Sequence, residues 1–391
     1  VHNPAVIPTP TEPGDKPIEV SVERSMSRFG EAEWDALAGH DPPPFLRWAF
    51  LDALERTGCV GEATGWIPHH LALRRGGVLL GVVPGYLKGN SEGEFVFDYA
   101  WADLAERLGI PYYPKLLFAI PFTPATAPRL LALPEHKPLL LGVVAEAIRR
   151  IVGLTGVSSA HLLFPPEEDA QALANAGLML RYGVQYHWHN RGYGTFDDFL
   201  GTFNSKRRHQ LKRERKELDA RGIRLETLRG KDLTPPVLDA MFGFYLSTVR
   251  KFYWGRRYLN RAFFEELGSK LGTGVEVVLA KEGDRALAGA LNYYGGGALY
   301  GRYWGSDVDV PFLHFNVCYY HSIDECISRG ASRFEPGAGG EHKKPRGFEP
   351  TLTHSLHHVQ NPRFDRILRD HLAREREVVL GRVRDGEGDE E

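Results

Sequence analysis

The sequence predicts an α/β protein made of two similar halves, each a β-meander that feeds a βαβ unit. Three observations predict it. Apolar residues are 42% and charged residues 25% of the 391 positions. That is the balance of a chain with a real core, long enough for two domains. Apolar periodicity switches repeatedly between strand-like alternation and helical spacing. Finally, an order of about six elements recurs in the second half, which indicates an internal duplication. Locally, residues 70–82 resemble residues 277–290, each a strand, a charged turn with glycine and a strand with glycine, and residues 95–101 parallel residues 298–304.

Residues 1–17 carry Pro4, Pro8, Pro10 and Pro13 and no apolar core, which predicts a flexible leader and not a secretion signal. Residues 18–22 alternate as a short strand. Residues 31–39 read as a short helix, stopped by Asp41-Pro42-Pro43-Pro44. Residues 45–57 are amphipathic, with Phe45, Trp48, Leu51 and Leu54 on the apolar face and Gly58 as a cap. Strands at 66–73 and 78–88 flank a turn, and residues 94–101 alternate as a third strand. After a stretch rich in proline and aromatics (108–128), a helix at 139–154 presents Val143, Val144, Ile148 and Val152. A strand at 160–164, a helix at 166–176 and a strand at 182–189 complete the first half.

In the second half, helices at 235–251 and 261–271 precede strands at 275–281, 286–294 and 298–304. A helix at 314–329, a strand at 333–335 and a closing strand at 351–359 follow. Between the last two lies the densest group of ionisable side chains. Gly337, Gly339, Gly340 and Gly347 surround Glu341, His342, Lys343, Lys344 and Arg346. Glycines let backbone take positive φ or approach a ligand closely, and a Glu-His pair offers a proton acceptor near neutral pH.

The expected division is a leader at 1–17, domains at 18–192 and 193–381, and an acidic tail at 382–391. A basic helix spans 204–218. From Ser205 to Lys216 it carries seven Lys or Arg and one Glu, with Leu211 and Leu218 as a thin apolar stripe and Asn204 or Ser205 as a cap. Net charge is −2, so bulk charge does not mark a polyanion-binding protein. This local run does suit phosphates, through Lys206, Arg207, Arg208, Lys212, Arg213 and Lys216. A solvated helix face is the alternative reading of the same residues.

Three cysteines without a CxxC suggest neither a disulfide framework nor a cysteine zinc site, and a reducing cytoplasm fits them. His354, His357 and His358 lack a carboxylate-rich partner sequence, so no metal is expected. Serine-hydrolase and Walker motifs are absent. No apolar run reaches membrane-spanning length. Nothing in the sequence specifies an oligomeric state.

Several pieces together resemble the FemAB-like peptidoglycan biosynthesis/recognition group, within the GNAT-type acyltransferases. They are Pro44-Phe45-Leu46-Arg47-Trp48, Phe97-Asp98-Tyr99-Ala100-Trp101, Tyr112-Tyr113-Pro114-Lys115-Leu116, Ile120-Pro121-Phe122-Thr123, the helix start Asn204-Ser205-Lys206-Arg207-Arg208, and Phe334-Glu335-Pro336-Gly337-Ala338 continuing to Lys343. The resemblance covers roughly residues 40–380. One departure is Gly339, where the family pattern leads one to expect Gln. The resemblance implies two tandem GNAT-like folds packed pseudo-symmetrically, with mixed central sheets flanked by helices. It also implies transfer of an acyl or aminoacyl group to an amine, a peptidoglycan precursor being the implied acceptor. No tightly bound cofactor is implied; the donor is aminoacyl-tRNA or acyl-CoA. After Trp304 the chain reads Gly305-Ser306-Asp307-Val308-Asp309, a poor phosphate cradle that weighs against CoA. An acyl-CoA N-acyltransferase of small-molecule metabolism, and a non-catalytic module binding muropeptides or nucleic acid, are the alternatives.

The candidate catalytic residues are Glu341 and His342, as proton acceptor or substrate-positioning pair. Candidate substrate contacts are Lys343 and Arg346 for a carboxylate or phosphate, and Asp98, Trp101 and Asp103 at the end of the third strand for an amine or sugar. Tyr112, Tyr113 and Lys115 are placed on a groove, and Arg302, Tyr303 and Trp304 at the equivalent strand end of the second half.

Overall fold

A computed structural model describes residues 5–7, 16–251 and 256–387. The chain forms two compact units interleaved along the sequence. One comprises residues 1–40, 46–184 and 352–391, the other 41–45 and 185–351. This differs from the linear division expected near residue 192, because the chain returns to the first unit for its last forty or so residues. Of the expected leader, residues 5–7 form a strand paired antiparallel with Ile18–Glu23, and most of the remainder lies outside the described residues. The expected acidic tail enters the helix Pro362–Glu387, and residues 388–391 lie outside the described residues.

The first unit has two groups of strands. Ala5–Ile7, Ile18–Glu23, His70–Arg75, Val78–Val83 and Leu131–Ala132 are neighbours in that order, all antiparallel. In the other group the last strand, from residue 352 to Val359, lies beside Ser159–Leu163, then Lys115–Phe118, Gly85–Lys88 and Trp66–Pro68. The long hairpin expected at 66–88 therefore divides at His69 and Pro84: Trp66–Pro68 and Gly85–Lys88 pair in one sheet, and His70–Arg75 and Val78–Val83 in the other. Lys115–Phe118 and Ser159–Leu163 are parallel, joined through the helix Lys137–Thr155. That helix buries Val143, Val144, Ala147, Ile148 and Val152 against Leu116, Phe118, Leu162 and Leu356. Each such large side chain contributes about 1.5–3 kcal/mol on burial.

The expected third strand at 94–101 does not form. Phe95 takes φ 62°, which interrupts an extended path, and a helix begins at Tyr99 and runs to Arg107. Its spacing is helical, with Trp101 and Ala105 buried four apart. The alternation misled because the inward residues are the carboxylates Glu94 and Asp98, while Phe97 and Tyr99 point to solvent. Residues 95–101 are thus not the counterpart of 298–304; Lys115–Phe118 is the strand that leads into the crossover.

In the second unit Ile223–Arg229, Val275–Glu282, Arg285–Gly295 and Ala298–Ser306 form an antiparallel meander. The chain then crosses through a helical segment, Leu313–Ser328, to Arg333–Glu335, which pairs parallel to Ala298–Tyr300. Arg333–Glu335 is also antiparallel to the end of Met179–His189, with Trp188 opposite Phe334. Both units therefore contain antiparallel strands feeding a parallel crossover, as expected.

Candidate active site

The parallel ladder in the second unit is short. Ala298, Leu299 and Tyr300 pair with Arg333, Phe334 and Glu335. Beyond them the long strand continues to Ser306, whereas the other chain turns at Pro336. The register slips between Leu291 and Asn292, leaving Arg302 as an extra residue between Gly301 and Tyr303. Such bulges re-aim side chains near functional sites. Residues 302–304 are half-buried. The Arg302 guanidinium lies 5.2 Å from the Tyr303 ring and the Trp304 ring 4.7 Å from that of His314.

The glycine-rich stretch after Glu335 becomes a 3₁₀ helix, Glu341–Arg346, capped by Gly340 and Gly347. Gly340 has φ +93°, and a Cβ there would sit 2.6 Å from the His342 ring. This position must be glycine for the imidazole to hold its place. Gly339, the departure from the family pattern, has φ +73° with open space around an added Cβ. Glycine takes that conformation without strain.

His342 Nε2 lies 3.0 Å from the Tyr319 hydroxyl. Tyr319 is in a π-helical segment, Asn316–Tyr320, between Leu313–Phe315 and His321–Ser328; π turns occur frequently at functional sites. His314 and Phe315 stand near the imidazole, with ring centroids 6.2 and 6.1 Å away. Burial, then the positive charges of Lys343 and Arg346, hold His342 below its ordinary value. His314 is brought down to about 4 by burial and the neighbouring His342, Lys343 and Arg346. Both imidazoles are neutral at neutral pH. Glu341 is exposed, and among the described residues its carboxylate makes no hydrogen bond or ion pair. The expected Glu341–His342 pair is therefore a pair in sequence alone.

Lys343 is buried. Its ammonium donates to the carbonyls of Gly337 (2.7 Å) and Gly339 (2.6 Å), which fastens the glycine turn. Burial lowers it to about 8. Arg346 is also buried, with its donors spent inside the protein. Nε donates to the Tyr320 hydroxyl, Nη1 to the His342 carbonyl, and Nη2 to both oxygens of Glu214. Arg346 is thus part of the frame that holds the loop, which is not the ligand contact expected of it.

Glu214 comes from the basic helix, Ser205–Ala220, whose start is capped by Asn204 accepting from the Arg207 amide. It is fully buried beside Leu211 and Leu218. Lys206, Lys212, Arg213 and Lys216 are exposed, and Arg207 and Arg208 half-buried. Lys212 pairs with Asp197 and Arg207 bonds Gln210. Among the described residues, Lys206, Arg208, Arg213 and Lys216 form no ion pair. Lys206, Arg213 and Lys216, with His209 between them, recur at helical spacing, and the three cations make one stripe.

The first unit gathers a different set. Lys115 is fully buried and donates to Ser91 (2.8 Å), Glu94 (2.8 Å) and Asp98 (2.5 Å). The Tyr112 hydroxyl donates to the same Asp98 oxygen, and Tyr113 bonds Ser91. Burial drives Glu94 up to about 7. Burial also opposes ionisation of Asp98, but attraction to Lys115 prevails and brings it to about 2. Lys88 is lowered to about 8 by burial. Glu94 Oε1 and Asp98 Oδ1 have no hydrogen-bond partner among the described residues. Trp101 is buried edge-on to His357, which shares a 2.7 Å Nδ1–Nδ1 contact with His161. Asp103 is exposed on the helix and stands apart from this cluster. Asp98, Tyr112, Tyr113 and Lys115 are therefore brought together, centred on a buried lysine. Glu94, Ser91 and Lys88 belong with them and were missed, as were Glu214, Tyr319 and Tyr320. A buried charge within a polar run has no periodic signature; only the lone Glu in the basic run was a visible oddity.

Among the described residues no group of three or more His, Cys, Asp or Glu is placed to hold a metal ion, and no helix is long and apolar enough to cross a membrane.

An α/β chain whose two units each carry a parallel crossover has known relatives. The family model for FemAB-like proteins, described as peptidoglycan biosynthesis/recognition, matches residues 25–389. The chain belongs to that family. Its fold is similar to that of FemX, at 13% identity and a TM-score of 0.50, over 87% of this chain and 98% of FemX. It is also similar to the C-terminal domain of a putative lysylphosphatidylglycerol synthetase from Agrobacterium fabrum (12% identity, TM-score 0.53, 88% and 95% covered). L-PGS from Bacillus licheniformis is comparable at 10% identity and a TM-score of 0.51, over 88% and 96% of the two chains. Comparison with curated protein sequences gave no match.

Proposed function

We propose that this protein is an acyl- or aminoacyltransferase acting on an amine, with His342 as proton acceptor. The observation that carries the reading is the His342–Tyr319 hydrogen bond on a loop beside the diverging parallel strands. In the Nε2-protonated tautomer, His342 donates to Tyr319 and keeps the Nδ1 lone pair available. There it takes a proton from the amine as the amine nitrogen attacks the donor carbonyl carbon. The tetrahedral oxyanion then collapses and expels the donor's oxygen or sulfur. An imidazole kept below its ordinary value is neutral and ready to accept.

The exposed Glu341 carboxylate attracts a cationic acceptor, while the buried Lys343 ammonium holds the glycine turn that leads into His342. Arg302, Tyr303 and Trp304 line the acceptor side. In the first unit, half-buried Tyr113 and exposed Asp103 are the candidate contacts that substrate can reach, while Asp98, Trp101, Tyr112 and Lys115 are buried and hold that unit's interior.

For the donor, the cationic stripe of Lys206, Arg213 and Lys216, with Arg207, Arg208 and Lys212 beside it, favours a phosphate-rich molecule, aminoacyl-tRNA. Acyl-CoA is the second reading, disfavoured by Asp307 and Asp309 where a phosphate cradle would be needed. Membership in a peptidoglycan family makes a peptidoglycan precursor the acceptor to try first. Purified protein is given labelled aminoacyl-tRNA and, separately, labelled acyl-CoA, each with muropeptide amines. Label moving from tRNA to the amine is the expected result. Transfer from acyl-CoA alone would replace the donor, and binding of muropeptide without transfer from either would replace the enzyme with a recognition module.

A further inference from the structure

We infer that Glu214 is a positioning residue for His342: from the inner face of the basic helix its carboxylate fixes both the backbone and the side-chain partner of that imidazole. The inference rests on the proposed role of His342 and deepens it.

Two paths run from Glu214 to His342. Along the first, both carboxylate oxygens accept from Arg346 Nη2, at 3.3 and 3.1 Å, and Arg346 Nη1 donates 2.9 Å to the His342 carbonyl. Along the second, Glu214 accepts from the Tyr320 hydroxyl. Tyr320 follows Tyr319 directly in the π-helical segment, and Tyr319 holds His342 Nε2. The same segment is tied back by Asn316, whose Nδ2 donates 2.9 Å to the Glu214 carbonyl. One residue thus braces the loop and the helix between which the imidazole is held. Glu214 is fully buried, and the Arg346 guanidinium is covered by the Phe315 ring at 3.4 Å. In such surroundings the two charges have no comparable alternative partner in water. A cavity of about 290 Å³ lined by Leu218, Asn316 and Tyr320 adjoins them, so a weakened brace has space into which to relax.

The arrangement gives the basic run two faces with different tasks. Its outward stripe of Lys206, Arg213 and Lys216 is free to meet phosphates, and its one acid points inward to the site. Contact with the donor and placement of the base then reside on a single helix.

The test compares wild type with Glu214→Gln, which keeps the shape and removes the charge, and with Tyr320→Phe, which cuts the second path alone. Groups facing His342 are Tyr319 and His314 from the helical segment, and Lys343, Arg346 and Glu341 from its own loop. By charge alone, removing the Glu214 carboxylate would uncover Arg346 and lower His342 further, so a raised midpoint reports altered placement. In the full chain, His342 is titrated by NMR without substrate, and amide exchange is followed at Lys343, Gly347 and Phe348. The expected result for Glu214→Gln is a titration midpoint raised toward the ordinary histidine value, with exchange of the three amides faster by about tenfold or more. Turnover falls about tenfold with KM within about twofold, and the acid limb of its pH profile moves up with the midpoint. Tyr320→Phe shows the same changes, smaller. An unmoved midpoint with unchanged exchange in both variants overturns the inference, whatever the activity. If His342→Gln retains full turnover, the catalytic reading falls, while the substrate-free titration still decides whether Glu214 positions the imidazole. A global loss of stability would speed exchange throughout the unit; unchanged amides in Val275–Glu282 exclude it.

Discussion

Replacing Lys115 with Met tests whether the first unit is organised around a buried cation. The side chain is nearly isosteric, so the change removes charge and hydrogen bonds without opening a large void. It deletes three bonds, to Ser91, Glu94 and Asp98. Two carboxylates are left with side chains 2% and 4% exposed. Lys88 is the nearest remaining cation, 3.9 Å from Glu94. Removing one partner of a buried ion pair costs about 3–5 kcal/mol, and we expect a loss of about 4 kcal/mol at pH 7. The loss has a pH signature. Without Lys115, Glu94 and Asp98 are raised by burial above their unfolded values, so the folded variant binds more protons than the unfolded chain. Between the unfolded carboxylate range and the raised folded values its stability rises as pH falls, by about 1.4 kcal/mol per unit for each carboxylate concerned. Glu94 already stands at about 7 with Lys115 in place, so the wild type shares most of its proton uptake and the difference rests mainly on Asp98, which Lys115 holds at about 2; the penalty should be smaller at pH 5 than at pH 7 by about 1–2 kcal/mol. Urea unfolding followed by circular dichroism at both pH values measures it. Adding Asp98→Asn should restore at least a third of the loss, since the two residues share a bond. A penalty under about 1 kcal/mol at pH 7, or one independent of pH, would refute the reasoning.

His342→Gln should lower turnover by about a hundredfold or more with little change in substrate affinity, and wild-type activity should fall on the acid side with a midpoint below the ordinary histidine value, read from a pH–rate profile. Glu341→Gln should raise KM for the amine a few-fold and leave turnover nearly unchanged, because its exposed carboxylate has no fixed partner. Reversing the charge of Lys206, Arg213 and Lys216 together should weaken tRNA binding and flatten its salt dependence by about 2–3 in the slope of log K against log salt; the same change at Lys212, already paired with Asp197, should matter less. Gly339→Gln should cost about 1–2 kcal/mol through its left-handed backbone alone, checked by thermal unfolding, with no clash to relieve.

Fold was legible where periodicity and punctuation agreed. The meander strands at 275–304 are nearly continuous apolar runs, the helix at 139–154 has an apolar face, and each is bounded by glycine or charge, as is the strand at 333–335. It was not legible where polar groups occupy the interior. Glu94 and Asp98 mimicked a strand because the signal assumes that buried means apolar, whereas here a lysine twenty or so residues later compensates them. The edge strand Ile223–Arg229 was missed because it is mostly half-buried and carries Arg224, Glu226 and Arg229. The interleaving of units was hidden too, since no composition change marks the return of the chain at residue 352.

The candidate site shows the same limit more sharply. The glycine-rich stretch drew attention correctly, but its chemistry does not lie in the adjacency of Glu341 and His342. The imidazole's partner is Tyr319, twenty-three positions earlier. Lys343 and Arg346, which look like ligand contacts in a list of charges, hold the turn and the loop by bonds to carbonyls and to Glu214. A carboxylate in the interior requires a buried donor, and a buried donor requires the carboxylate. Glu214 and Arg346, more than a hundred residues apart, are therefore one structural unit that neither segment discloses alone. The single acid between Ser205 and Lys216 is the residue that joins the helix to the loop, while Lys206, Arg213 and Lys216 lie exposed on the same helix.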